Sequence, residues 1–306
     1  MKQQKFISLL TAFLLAFGVL TACTKTPIEQ PPAGISIQTY ATDAIVTTET
    51  VATTTVDTSL EETELSDIIE PVVEIPKWDY DTLSNESIGW GQGVHFDELN
   101  RPHEAIRVNT EYEKYKIAAI ENTEEKVITL TFDQGYENGF TAPILDVLKE
   151  KGVQATFFLV QSYVNNNPEL VQRMVDEGHI LGNHSVHHYS MPDLTNEEVE
   201  QEIMALHEDV LVKYGVCMNR FRPPEGKYSE RVLAITGDLG YTTYLWSFAY
   251  ADWDPNDQPD PEKALQKLIE RAHPGAIYLL HSVSKTNSEI LGDFIDAMRE
   301  QGYTFR

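Results

Sequence analysis

The 306-residue chain is poor in basic side chains and in cysteine. Its 23 Lys and Arg stand against 48 Asp and Glu, a formal net charge of −25. Nucleic acid needs a basic face, so this balance argues against DNA or RNA as a partner. It points to no substrate, because acidity mainly keeps a protein soluble. Two cysteines, Cys23 and Cys217, are too few for a disulfide framework or a cysteine-rich zinc site. There is no glycine-rich dinucleotide fingerprint, no P-loop and no internal repeat. Apolar residues make up 42% and aromatics 10%, enough for a sizeable core in one large domain or two small ones.

The N-terminus has an export pattern. Lys2 and Lys5 precede an apolar run from Phe6 to Leu20, broken by Ser8 and Thr11 and short of the ~20 residues of a spanning helix. It ends in Leu20-Thr21-Ala22-Cys23, which resembles a bacterial lipobox. On that reading 1–22 is a lipoprotein signal peptide, and lipidated Cys23 anchors the exported protein on the outer face of the membrane. The alternative is an ordinary signal peptide or an uncleaved anchor. Residues 23–76 are rich in Thr, Pro and acids, and read as a disordered tether that cannot bury enough to offset its ordering entropy. Residues 77–126 carry Trp78, Tyr80, Trp90, Phe96, Tyr112 and Tyr115, and read as an ordered extension packed on the main domain, with a helix over 112–120. Trp90 packs there or faces a carbohydrate; packing is the simpler reading.

From Val127 onward, strand and helix patterns alternate. Strands are expected at 127–132, 155–160, 179–183, 220–222, 242–246, 276–280 and 303–305, and helices at 143–151, 168–177, 196–214, 230–239, 261–272 and 288–301. Thr195 with Glu198 forms a capping box, and Gly152, Gly178 and Gly240 stand where helices should stop. The alternation implies an α/β fold with a largely parallel sheet, open or closed as a barrel.

Five stretches have the composition of a reaction site. Val-Ile-Thr-Leu-Thr-Phe runs into Asp133-Gln134-Gly135, placing a carboxylate at the end of a buried strand; a helix cap is the plainer role for a lone Asp there. His184 and His188 in Asn-His-Ser-Val-His-His would share one face of a helical turn, a spacing that suits two ligands of one metal, with His187 pointing away. Arg222-Pro-Pro-Glu225-Gly leaves a strand end in a direction fixed by the prolines. Asp252-Trp253 follows the fifth strand, and His281 ends the strand Ala-Ile-Tyr-Leu279-Leu, poised for acid–base work or satisfied in the core.

Together and in this order, these pieces resemble the polysaccharide deacetylase (NodB-like) family of carbohydrate esterases over 127–306. The resemblance implies a distorted (β/α) barrel of about seven strands that uses a divalent metal, Zn²⁺ or similar, to hydrolyse the N-acetyl group of a sugar. It makes Asp133 the general base, Arg222 its partner, His184 and His188 metal ligands, and His281 the general acid. Asp252 would orient that acid and Trp253 wall the groove. The backbone N–H of Glu225 would face the oxyanion, and Leu279 would line the acetyl pocket.

One position departs from the family. A second Asp, the third metal ligand, is usual after the base, and here it is Gln134. An amide oxygen is a weaker ligand for a hard cation than a carboxylate. The runs around Gln134 and 273–284 look like the branch of peptidoglycan N-acetylmuramic acid deacetylases that serve muramic δ-lactam synthesis, some of which carry an amide at this place. The expected substrate is thus N-acetylmuramic acid in peptidoglycan. Peptidoglycan N-acetylglucosamine or a chitin-like oligosaccharide are alternatives, as is a non-catalytic glycan-binding lipoprotein.

Overall fold

The computed structural model describes residues 78–306. The signal peptide, Cys23 and the tether lie outside the described residues. Among the described residues, no helix is long and apolar enough to cross a membrane.

In chain order the strands are β1 (Ile88–Gly89), β2 (Ile117–Ala118), β3 (Val127–Gln134), β4 (Thr156–Leu159), β5 (Ile180–Asn183), β6 (Arg220–Phe221), β7 (Lys227–Tyr228), β8 (Thr242–Tyr244), β9 (Phe248–Ala249), β10 (Ala276–His281) and β11 (Thr304–Phe305). The helices are α1 (His103–Glu111), α2 (Thr141–Lys151), α3 (Gln161–Asn166), α4 (Pro168–Asp176), α5 (Asn196–Tyr214), α6 (Glu230–Asp238), α7 (Pro261–Glu270) and α8 (Lys285–Glu300). The main sheet runs β2-β8-β6-β5-β4-β3-β10-β9, with β11 also on β3. Every recorded pairing within it is parallel. Among the described residues no ladder joins β9 to β2, so the curled sheet is a distorted barrel left open on one side. Each expected strand and helix from 127 onward is present, to within a few residues at its ends. The capping box at Thr195 has both of its reciprocal bonds.

The extension differs from expectation. The helix is α1, which ends at Glu111, and 112–120 instead holds a single 3-10 turn and strand β2. The cause is local: Lys116 takes a left-handed backbone (φ 58°), which stops helical progress, and Ile117–Ala118 then pairs with β8. This segment is therefore built into the sheet. It also buries Ala105, Val108, Tyr115 and Ile120 against Tyr228, Leu233 and Leu245 in a second core, while Ile88–Gly89 pairs with Lys227–Tyr228.

Side-chain alternation along the strands separates core from site. Ile128, Leu130 and Phe132 of β3 join Phe157, Leu159, Tyr278 and Leu280 in the main core under the helices. The opposite face presents Thr129, Thr131 and Asp133 from β3, Phe158 from β4, and Ile277, Leu279 and His281 from β10. Phe158, Tyr244 and Ile277 form a small apolar plug there. Gly182 of β5 makes room for Phe158, since a Cβ at 182 would meet the ring 2.4 Å away. With Phe158 fully buried, that ring has nowhere to go. Gly182→Ala is expected to cost about 1–3 kcal/mol through overpacking, read as a lower thermal midpoint, and to lower activity because the Arg222 guanidinium lies 4.1 Å over the same ring.

Candidate active site

Asp133, the last residue but one of β3, and His281, the last of β10, are register partners on adjacent parallel strands. Both therefore leave the sheet on one face, at the C-terminal rim where α/β folds place their sites. Asp133 is 9% exposed, and its Oδ1 accepts a 2.7 Å hydrogen bond from Nη1 of the fully buried Arg222. The guanidinium also donates to the carbonyls of Tyr244 (3.3 Å) and Leu245 (3.1 Å), which fixes its plane. Burial works against the Asp133 charge, but Arg222, then His184 and His281, outweigh it and hold the carboxyl below the usual carboxylate range.

His281 is held from behind. Its Nδ1 is 2.7 Å from Oδ1 of Asp252, and its backbone N–H donates to Oδ2 at 2.8 Å. Burial alone would lower its pKa, yet the hydrogen bond and charge of Asp252, with Asp133 behind, raise it above the ordinary histidine value. Trp253 is 57% exposed and stands edge-on to the imidazole with centroids 6.2 Å apart. Leu279 lies two residues back on the same face, 6% exposed.

The histidine motif does not form the expected helical turn; it follows β5 as an irregular loop. Left-handed backbones at Ser185 (φ 71°) and His188 (φ 61°) fold it back, and the rings of His184 and His188 meet with centroids 4.8 Å apart. Asn183 Oδ1 accepts from the Ser185 N–H, and Ser185 Oγ accepts from the His188 N–H, which sets these conformations. His184 Nδ1 lies 2.7 Å from the Arg222 carbonyl, which can only accept. The proton is thus on Nδ1, and Nε2, 3.5 Å from Asp133 Oδ2, presents its lone pair. Burial pushes the His184 pKa down to about 4, against the pull of Asp133, so the ring is neutral near neutrality. His187 turns away to Glu202, as expected of a structural residue.

Gln134 is fully buried, and neither atom of its amide has a hydrogen-bond partner. Glu225 takes a left-handed backbone (φ 57°), sparsely populated outside glycine, and pairs its exposed carboxylate with Lys227. The next residue has to be glycine: a Cβ on Gly226 would lie 2.6 Å from the Trp246 ring and 3.2 Å from Trp90. Trp90 packs there, with its indole N–H on the Trp246 carbonyl.

A family model described as polysaccharide deacetylase matches residues 120–244. The peptidoglycan-N-acetylmuramic acid deacetylase PdaA of Bacillus subtilis is 44% identical over 229 residues, 74% of this chain and 86% of that protein. The chain belongs to the polysaccharide deacetylase family. The structure of Bacillus subtilis PdaA, a family 4 carbohydrate esterase, superposes with a TM-score of 0.70 at 44% identity, covering 73% of this chain and 96% of that one. A peptidoglycan-N-acetylglucosamine deacetylase of Bacillus cereus is 32% identical over 186 residues, 59% of this chain and 85% of that protein. As a member of this family the chain is a hydrolase acting on acetylated sugar amines.

Deacetylases of this family generally depend on a divalent metal, and the residues here fit one. His184 offers a neutral nitrogen whose tautomer is fixed by its other nitrogen, the usual arrangement for a ligating imidazole. His188 stands beside it, and the Gln134 amide is a buried polar group lacking any partner. Among the described residues no three His, Cys, Asp or Glu side chains gather as a cage.

Two supports were invisible in the sequence. Glu202 on α5 is 7% exposed and pins the histidine loop through the His187 N–H and Nδ1 and, from its carbonyl, the Val186 N–H. Its only signal was a carboxylate on the apolar face of α5, between Val199 and Leu206. Asn287 touches Asp252 and gave no signal beyond its place in a capped first turn. Arg222→Leu is expected to destabilise the fold by about 3–5 kcal/mol in urea unfolding, because it strands a buried carboxylate. An unchanged midpoint would contradict the role of this pair.

Proposed function

We propose that the protein removes the N-acetyl group from an amino sugar of peptidoglycan, N-acetylmuramic acid in first place, releasing acetate. The observation that carries this reading is the pairing in register of Asp133, backed by Arg222, with His281, backed by Asp252: an ionised base beside a histidine biased toward its protonated form. Enzymes set up acid and base in this way, by environments that push the two pKa values apart.

His184, His188 and the Gln134 amide would hold the divalent cation, with Zn²⁺ the best match to two imidazoles. When bound, such a cation polarises the acetyl carbonyl and acidifies the attacking water. Asp133 takes the proton of that water, and Arg222 keeps it ionised to do so. The Glu225 N–H donates to the developing oxyanion, a contact of a kind worth roughly 3 kcal/mol. His281 gives a proton to the leaving amine while Asp252 holds its Nδ1. Leu279 lines the acetyl pocket, and Trp253 forms a wall beside His281. In muramic acid freed of its peptide, condensation of the new amine with the lactyl carboxyl, with loss of water, would close a δ-lactam.

The choice of sugar rests on the greater likeness to the N-acetylmuramic acid enzyme; the N-acetylglucosamine relative, at 32%, supports the second reading. The intact Asp133–Arg222 and Asp252–His281 pairs speak against a binding-only lipoprotein. Acetate release from intact and amidase-trimmed peptidoglycan tests this. Trimmed material should be the better substrate, and a chelator should stop the reaction until metal is restored. Asp133→Asn and His281→Ala should each lower the rate by a factor of about 10²–10⁴, and substantial turnover in either removes that residue from its role. The rate should fall on the acid side only near or below the ordinary carboxylate value of about 4, because Asp133 is shifted down. On the alkaline side it should fall above the ordinary histidine value of about 6.5, because His281 is shifted up and must be protonated.

The same reading places the protein outside the membrane, tethered by lipid on Cys23. Fractionation of Cys23→Ala cells should find the protein released, and retention in the membrane fraction would dismiss the anchor.

A further inference from the structure

Asp252 lies in an irregular loop after β9 and is fully buried. Its carboxylate receives three hydrogen bonds, two of them from the residue it is meant to orient: Nδ1 of His281 on Oδ1 and the His281 N–H on Oδ2. The backbone N–H ties Oδ2 to β10, and the plane of the carboxylate about that contact then sets the plane of the ring. The third donor supplies an outside reference. Asn287 Nδ2 donates to Asp252 Oδ2 at 2.6 Å and also to the His281 carbonyl at 3.0 Å, so one amide group clamps both members.

Asn287 is itself immobilised. It is 1% exposed in the first turn of α8, and its backbone N–H donates to Oγ of the N-cap Ser284. Its Oδ1 accepts from the hydroxyl of Tyr250, a side chain 7% exposed and packed on Phe248. The amide can therefore sit only one way round, because the Asp252 carboxylate and the His281 carbonyl can only accept and both need the NH₂ group. The charged groups facing the His281 ring are Asp252, Asp133 and Arg222, and none of them fixes the ring plane from outside the pair.

We propose that Asn287, braced by Tyr250, is the positioning residue of the proton donor: it locks the Asp252–His281 pair so that the free Nε2 stays aimed at the leaving amine. The inference rests on His281 acting as the acid. Asparagine is required by the geometry, since the isosteric aspartate would set oxygen against oxygen at the distance of the 2.6 Å bond. That oxygen could replace the amide donor only while it carries a proton.

The test uses the full-length protein with amidase-trimmed peptidoglycan, and reads acetate release across pH together with thermal unfolding and metal content. Asn287→Ala should lower kcat by about 10–100-fold, the usual cost of an orienting partner, with KM and bound metal unchanged. Asn287→Asp should work only on the acid side, where the introduced carboxyl is protonated and can donate to Asp252, and should lose activity at a pH well below the alkaline limb of the parent. A residue that merely supported the fold would not move that limb. Tyr250→Phe removes one hydroxyl and should lower kcat several-fold in the same manner; it carries the test by itself if the Asn287 variants do not fold. A parental pH profile in folded Asn287→Asp, or parental kcat in Asn287→Ala or Tyr250→Phe, overturns the proposal. If His281→Ala is inactive in the same assay, such a result fails Asn287 alone; if His281→Ala is fully active, the acid assignment fails with it.

Discussion

The Arg222–Asp133 ion pair is the constraint on which the site depends. A guanidinium with no exposure at all is costly to bury unless its charge is matched and its nitrogens find acceptors. Here the match comes from Asp133 on β3, and the spare donors go to the carbonyls of Tyr244 and Leu245 at the end of β8. The Phe158 ring supports its face from β4. The carbonyl of the same residue fixes the tautomer of His184. One side chain and its own backbone thus tie together the ends of β3, β4, β6 and β8 and the histidine loop. Asp133, His184 and the curl of the sheet are coupled through it.

A second assembly, on the other side of Asp133, holds His281. β10 delivers His281, the loop after β9 delivers Asp252, and the first turn of α8 delivers Asn287. The two assemblies meet because β3 and β10 are neighbours in register; a slip of one residue would turn one of the two side chains to the helix face. The extension contributes as well. It adds β2 to the sheet edge beside β8, and its Trp90 packs over Gly226 in the loop that carries Glu225. It is part of the frame of the site.

The departure at Gln134 has a physical reading within this frame. An amide buried without any partner is costly in a folded core. As a ligand of the proposed cation, an amide would contribute less negative charge than the carboxylate usual at this place. Burial likewise holds His184 toward its neutral form.

The amino-acid sequence by itself determined the strands and helices from 127 onward, the caps that punctuate them, and the five stretches that line the candidate site. These are local properties: apolar periodicity, capping residues and short motifs act over a few neighbours and are written in consecutive residues. It misplaced the helix of the extension, because a left-handed Lys116 and a pairing with β8, more than 120 positions away, outweigh helical propensity in 112–120. It also read the His184–His188 spacing as a helical turn, where a loop with two left-handed residues brings the rings together. Only the tertiary structure decided how Arg222 is satisfied, that Glu202 pins the histidine loop, and that Asn287 clamps Asp252 to His281. Each of these joins residues far apart in the chain, and a carboxylate or amide acquires such a role only when burial removes water as its alternative partner.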